Sequence, residues 1–234
     1  MADITKGLEA DEVELDDASE TASAASSVLN FRRENGRTYH AYKAGTEYFL
    51  PNDAAESGRL DLQHNLSILT QDNRLFISPA AKDKPLRRVL DAGCGTGIWA
   101  TDFADEHPDV SVVGVDLSPI QPEFVPPNVE YLVDDLEIDW TFVHPFDLIY
   151  MRFLTGSIKD WPRLFAQSFA NLTPGGHIEH FDTLNPLVSS DGTPSPDSPL
   201  LKWNILLLEA SQKLGRPPEL GSRLQDTARW GGIR

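Results

Sequence analysis

Basic residues are scarce in this chain: 20 Lys and Arg stand against 36 Asp and Glu, a formal net charge of −16 over 234 residues. Non-specific nucleic-acid binding needs a basic face that displaces counterions. Only the short pairs Arg32-Arg33 and Arg87-Arg88 offer one, so direct nucleic-acid binding is not expected. Cysteine is rarer still. The single Cys94 excludes an internal disulfide and fits a reducing compartment. No apolar run approaches the roughly 18 residues of a membrane span, and the N-terminus lacks the pattern of a secretory signal. The expectation is a soluble protein, cytoplasmic or nuclear, with no membrane partner. Hydrophobic residues make up 40% of the chain, enough for one sizeable core with extensions.

What is present centres on Leu90-Asp91-Ala92-Gly93-Cys94-Gly95-Thr96-Gly97. It reads as a strand that stops in a glycine-rich turn and continues into a helix. Asp116 lies nineteen residues after Gly97, at the end of a second strand-like run. A glycine turn followed by an acid about twenty residues on marks a site for an adenosine-containing cofactor in a doubly wound α/β fold. Dinucleotide enzymes use G-x-G-x-x-G with a pyrophosphate at the helix start. Here the spacing is G-x-G-x-G, position 98 is Ile, and Asp91 precedes the first glycine by two. A carboxylate there repels a pyrophosphate but attracts an ammonium group. The pattern therefore suits S-adenosylmethionine and weakens a nicotinamide-dependent reading. Cys94 lies inside this turn, where packing explains a small residue better than reactivity does.

The chain divides into four segments: an acidic tail (1–30), an aromatic and helical extension (31–85), an α/β core (86–184) and a loop with a helical C-terminal segment (185–234). Residues 3–20 hold eight acids and one lysine, a composition that predicts disorder. The interval 31–50 holds Tyr39, His40, Tyr42, Tyr48 and Phe49, which either dock on the main domain or form a lid over the site. Asp53 with Glu56 reads as a capping box opening a helix, and Leu62, Leu66 and Leu69 as its core-facing stripe. His64 beside that stripe reads as a structural histidine. Strands are predicted over 87–91, 111–116, 129–133, 146–151 and 177–182, with helices after the first and before the last. This alternation predicts a mostly parallel, doubly wound sheet. Residues 185–199 read as a loop, and 200–214 as a helix. In His177-Ile178-Glu179-His180, strand geometry puts His180 on the opposite face from its neighbours, so no metal site is expected.

These residues resemble the class I methyltransferases that use S-adenosylmethionine, through Val89–Gly97 and through Leu172-Thr173-Pro174-Gly175-Gly176-His177-Ile178-Glu179. More narrowly, Arg37–Tyr42, Leu60–Asn65 and Arg152–Ile158 resemble the LaeA-like methyltransferases of filamentous fungi, over roughly residues 31–214. The resemblance implies a Rossmann-like methyltransferase fold and assigns site residues. Asp91, Gly93 and Gly95 face the methionyl end, and Gly97 permits close approach at the helix start. Asp116 accepts from the ribose hydroxyls, and Asp135 from the adenine amine. Leu117 and Leu136 cover the adenine faces. Met151 and Arg152 end the fourth strand near the transferred methyl. His40, His177 and Glu179 are candidate bases, and none stands out as catalytic.

The family fold carries two further strands beyond the fifth. The stretch from Gly215 to Arg234 resembles neither, so the fifth strand is expected to be an edge. The leading reading is a methyltransferase acting on a small-molecule or protein acceptor, linked to fungal secondary metabolism, with a regulatory protein partner in view. The alternative is a non-catalytic interaction protein that retains the fold.

Overall fold

The computed structural model describes residues 29–42, 48–82, 84–183, 186–187, 189, 191–195 and 197–216. The expectations for the acidic tail and for the last eighteen residues lie outside them. Among the described residues, seven strands and four helices follow in chain order. They are β1 (Arg32–Glu34), β2 (Arg37–Tyr39), α1 (Ala54–Thr70), β3 (Arg88–Ala92), α2 (Ile98–Glu106), β4 (Ser111–Asp116), β5 (Val129–Val133), β6 (Phe146–Arg152), α3 (Trp161–Ala170), β7 (Leu172–Phe181) and α4 (Pro199–Lys213).

Five strands form one sheet in the order β5-β4-β3-β6-β7, and every pairing in it is parallel. The doubly wound α/β architecture expected from the alternating pattern is therefore present. The chain runs outward from β3 through β4 to β5 and then returns to the other side of β3 as β6. The direction of winding thus reverses at the C-terminal ends of β3 and β6, where open α/β sheets bind ligands. Among the described residues β7 pairs only with β6, and so stands at the sheet edge. It begins five residues earlier than predicted. Leu172 pairs with Phe146, and the register then shifts so that His177 meets Leu148; Thr173–Gly176 is the irregular stretch between them.

Alternation along the strands sends side chains into two cores. Leu90, Val113, Ile149 and Met151 pack on one face against Trp161, Leu164 and Phe165 of α3. Val89, Val112, Leu148 and Tyr150 pack on the other against Trp99 and Phe103 of α2. The Trp99 indole stacks on Tyr150 at 4.0 Å between centroids and donates Nε1–H to the Leu75 carbonyl at 2.7 Å, so its polar atom is satisfied in the interior. Each such buried apolar side chain contributes about 1.5–3 kcal/mol.

Two expectations for residues 31–70 need correction or refinement. The extension begins with an antiparallel hairpin, β1–β2, turned by Asn35 and Gly36 at φ values of 48° and 78°. An Asn-Gly pair favours such a turn. Helix α1 starts where expected: the Asp53 side chain accepts from Glu56 N at 3.0 Å. Glu56 does not complete the box but pairs with Arg59, 2.6 Å away. The leucine stripe is the correction. Leu62, Leu66 and Leu69 are 61%, 56% and 68% exposed, while His64 and Ser67 are buried. Helix α1 turns Arg59, Leu60, Gln63 and His64 toward the cavity described below and Ile68 toward the core, which leaves Leu62, Leu66 and Leu69 outside.

Candidate functional site

The loop after β3 owes its shape to its glycines. Gly93 N and Cys94 N both donate to the Val115 carbonyl, at 2.8 and 3.0 Å, which ties the loop to the end of β4. Gly93 has φ +78°, and a Cβ there would lie 2.5 Å from a methyl carbon of Leu154. Gly97 caps α2 with φ +76°, and a Cβ there would strike the Tyr131 ring. Tyr131 Oη in turn donates to the Gly97 carbonyl at 2.8 Å. The close approach that Gly97 permits is thus made by a side chain from β5.

Asp116 closes the loop from the neighbouring strand. Its Oδ2 accepts from Gly95 N at 2.8 Å and its Oδ1 from Ser118 N at 3.0 Å. A carboxylate offers about four lone-pair sites, so acceptor capacity remains on both oxygens. Burial pushes this carboxyl above the usual range, and the N–H groups of Ser118 and Gly95 oppose the shift. Asp91, at the end of β3, is 3% exposed and its Oδ2 has no hydrogen-bond partner. Burial pushes its pKa to about 7; the nearby Arg152 charge pulls it down and Asp116 pushes it further up. Arg152, at the end of β6, likewise holds Nη1 buried without a partner. One cavity wall therefore carries a carboxylate and a guanidinium, each with an unused polar atom.

The cavity measures about 530 Å³, within the roughly 300–1,000 Å³ typical of small-molecule sites. Of the residues singled out from the sequence, Asp91, Gly93 and Gly95 line it beside the loop. Asp116, Leu117, Asp135 and Leu136 line it further along, and Arg152 also reaches it. Gly97 and Met151 do not. Gly97 faces Tyr131, and Met151 is wholly buried in the sheet core. None of His40, His177 and Glu179 lines the cavity. Glu179 accepts from the backbone N–H groups of Ile77 and Ser78 at 2.7–3.0 Å, a structural role. Cys94 does reach the cavity wall but is buried, and burial raises its thiol pKa well above the ordinary value. An inert packing thiol is the result.

The aromatic extension both docks and walls the site. Tyr42 Oη donates to Asp134 at 2.7 Å, Asn52 Nδ2 to the Ser118 hydroxyl at 3.3 Å, and Tyr48 and Leu50 line the cavity. Thr96 of the glycine loop donates to Asp61 of α1 at 2.7 Å, which fastens that helix over the loop. From the far end of the chain come Trp203, Leu207 and Arg216. Arg216 Nη1 donates to Glu137 at 3.2 Å across the cavity rim. These C-terminal contributors carry no sequence signal, because they sit in or beyond a helix separated from the core by the 185–199 loop.

A glycine cradle at the switch point, flanked by the buried Asp91 and the half-buried Asp116, suits a nucleoside joined to a cationic amino acid better than a pyrophosphate. Comparison with known proteins shows the family. The family model described as "Methyltransferase domain" matches residues 62–226. This chain belongs to the methyltransferase-domain family. It is 45% identical over 210 residues to methyltransferase pytC of Aspergillus terreus, covering 89% of this chain and 64% of that protein. It is 40% identical over 188 residues to the secondary metabolism regulator LAE1 of Cochliobolus heterostrophus, covering 79% and 61%. It is 39% identical over 200 residues to the protein-methionine methyltransferase laeA of Emericella nidulans, covering 82% and 51%. The chain thus spans between half and two thirds of the length of the curated relatives it matches. Among solved structures, the plantazolicin methyltransferase BpumL in complex with S-adenosylhomocysteine shares the fold. The TM-score is 0.51 at 17% identity, over 68% of this chain and 66% of that one. Among the described residues no group of three or more His, Cys, Asp and Glu side chains is placed to hold a metal. No described helix is long and apolar enough to cross a membrane.

Proposed function

We propose that this chain binds S-adenosylmethionine and transfers its methyl group to a small-molecule or protein acceptor, in the service of secondary metabolism. The observation that carries the reading is a pair of carboxylates, the buried Asp91 and the half-buried Asp116, bracketing the Gly93–Thr96 loop in one cavity at the winding reversal. The group fits the residues present. The unpartnered Oδ2 of Asp91 matches an ammonium, and the remaining acceptor capacity of Asp116 matches two neighbouring hydroxyls. S-Adenosylmethionine, when bound, supplies a methyl group already activated on a sulfonium.

The residues of the chain then bind, orient and exclude water. Asp91 and the backbone of Gly93 and Gly95 hold the amino-acid end. Asp116 holds the ribose. Asp135, whose Oδ1 accepts from Glu137 N at 2.9 Å, is fixed to meet the adenine amine. Asp134 is engaged by Tyr42, which leaves the adenine contact to its neighbour. Leu117 and Leu136 supply apolar cover for the base. Trp203 and Leu207 of α4 and Tyr48 of the extension line the remaining wall, where an acceptor enters. The link to secondary metabolism is supported by the relatives that bear the names secondary metabolism regulator and methyltransferase pytC.

Incubation with methyl-tritiated S-adenosylmethionine and an extract of the source organism tests the reading. Transfer of label to a protein band or an extractable metabolite, lost in Asp116→Ala, is the expected result. Tight donor binding with no transfer to any fraction would make the chain a binding protein on a methyltransferase fold.

A further inference from the structure

The roles given so far leave one polar cluster unused. His64 of α1 is 2% exposed, although it sits on a helix whose Leu62, Leu66 and Leu69 face outward. Its Nε2 lies 2.9 Å from Asp102 Oδ2 on α2, and its Nδ1 lies 3.0 Å from Arg152 Nη2 at the end of β6. A guanidinium can only donate, so Nδ1 is the acceptor; the ring proton therefore sits on Nε2 and is donated to Asp102. The three groups form a chain with one sense: guanidinium to imidazole to carboxylate. It joins the helix over the cavity, the helix after the glycine loop and the strand at the winding reversal.

The outcome is a guanidinium fixed in the cavity wall. Arg152 lies along its own neighbour Phe153, with 5.8 Å from Cζ to the ring centroid, which restricts its swing on that side. Its Nη1 is buried without a partner, as is Oδ2 of Asp91, and both residues line the same cavity. An α-amino acid carries the two complementary groups on one carbon: an ammonium for a carboxylate and a carboxylate for a guanidinium. A planar guanidinium meets a carboxylate best when its plane is held in advance.

We infer that Arg152 receives the carboxylate of the donor's amino-acid end, and that His64 and Asp102 are positioning residues that hold it there. The inference rests on the donor reading above and assigns Arg152 to the end of the donor remote from the adenine. It also explains why a buried histidine and a half-exposed aspartate are paired on two helices outside the sheet.

Calorimetry on the full chain, with S-adenosylmethionine and its decarboxylated analogue as separate probes, tests it. Wild type is expected to favour the intact donor by about 10- to 100-fold, the range of one charge-assisted pair. Arg152→Met is expected to bind the two probes alike. His64→Leu is expected to lose most of the preference, and His64→Asn, which keeps an acceptor near the place of Nδ1, to recover part of it. Asp102→Ala, at a half-exposed position that leaves the core intact, provides a second variant should His64→Leu fail to fold; a several-fold drop in preference is expected. A wild type that binds both probes equally would overturn the inference while leaving the donor reading intact. So would an Arg152→Met variant that keeps the preference. A wild type that binds neither probe would overturn the donor reading and this inference with it.

Discussion

Replacing Asp116 by Asn separates its two roles. The carboxylate accepts from Gly95 N at 2.8 Å and from Ser118 N at 3.0 Å. The amide turns one of those acceptors into a donor facing an N–H group, at a cost of about 1.5–3 kcal/mol for a charge-assisted bond. Against this stands the relief of a burial penalty on the charged form, the leading cause of the raised carboxyl pKa. The sign follows from linkage. With the folded value above the unfolded one, this group's contribution to stability is full below the unfolded pKa and is lost as pH rises through the folded value. The variant therefore gains on wild type as pH increases above about 4. The two terms oppose each other, and stability at neutral pH is expected to shift by no more than about 1.5 kcal/mol. Donor affinity has no such compensation. Two ribose hydroxyls lose a charged acceptor, about 1–3 kcal/mol, or about 5- to 150-fold in Kd. Titration of S-adenosylmethionine into the variant, with its melting curve recorded alongside, measures both quantities. Adenosine should weaken in parallel, while 2′,3′-dideoxyadenosine, which lacks both hydroxyls, should not. A folded Asp116→Asn protein with wild-type affinity for adenosine would refute the ribose assignment.

Three further outcomes follow from the same geometry. Because Asp91 titrates at about 7, donor affinity should climb as pH rises from 6 through 7 and turn over near 8, where an α-amino group loses its proton. Asp91→Asn should flatten the acid limb in the same titration. Gly97→Ala adds a left-handed non-glycine residue, about 1–2 kcal/mol, and a clash with Tyr131, whose Cζ would lie 2.5 Å away, about 1–3 kcal/mol more. Urea unfolding should show a loss of about 2–5 kcal/mol, and a loss below 1 kcal/mol would contradict the packing described. Leu66→Gln on the exposed face of α1 should change stability by no more than about 0.5 kcal/mol, whereas a core leucine would cost several times that.

The parts of this fold legible from residues alone are those governed by neighbours in the chain. The apolar runs 111–116 and 146–151 became β4 and β6 within a residue, because a buried parallel strand is a short continuous apolar segment. The glycine loop and Asp116 were legible because backbone conformation and strand end are local properties. The remaining features are of two kinds. The Asn35-Gly36 hairpin carries a local signal, the dipeptide itself. The orientation of α1 could not be found by periodicity, since that method assumes the apolar face points inward; here the buried side includes His64 and Ser67 while Leu62, Leu66 and Leu69 are exposed. The partner of Gly97 was equally hidden, because Tyr131 reaches it from a strand more than thirty residues away. Trp203 and Arg216 reach the site only through the placement of α4.

The central claim is that the cradle between Asp91 and Asp116 holds S-adenosylmethionine. Calorimetric titration of that compound into the intact chain near pH 7.5 tests it most directly. One donor per chain, with a Kd below about 1 mM and measurable competition by S-adenosylhomocysteine, is the predicted result. A folded sample that gives no binding heat at saturating donor and shows no thermal stabilisation by it would contradict the account.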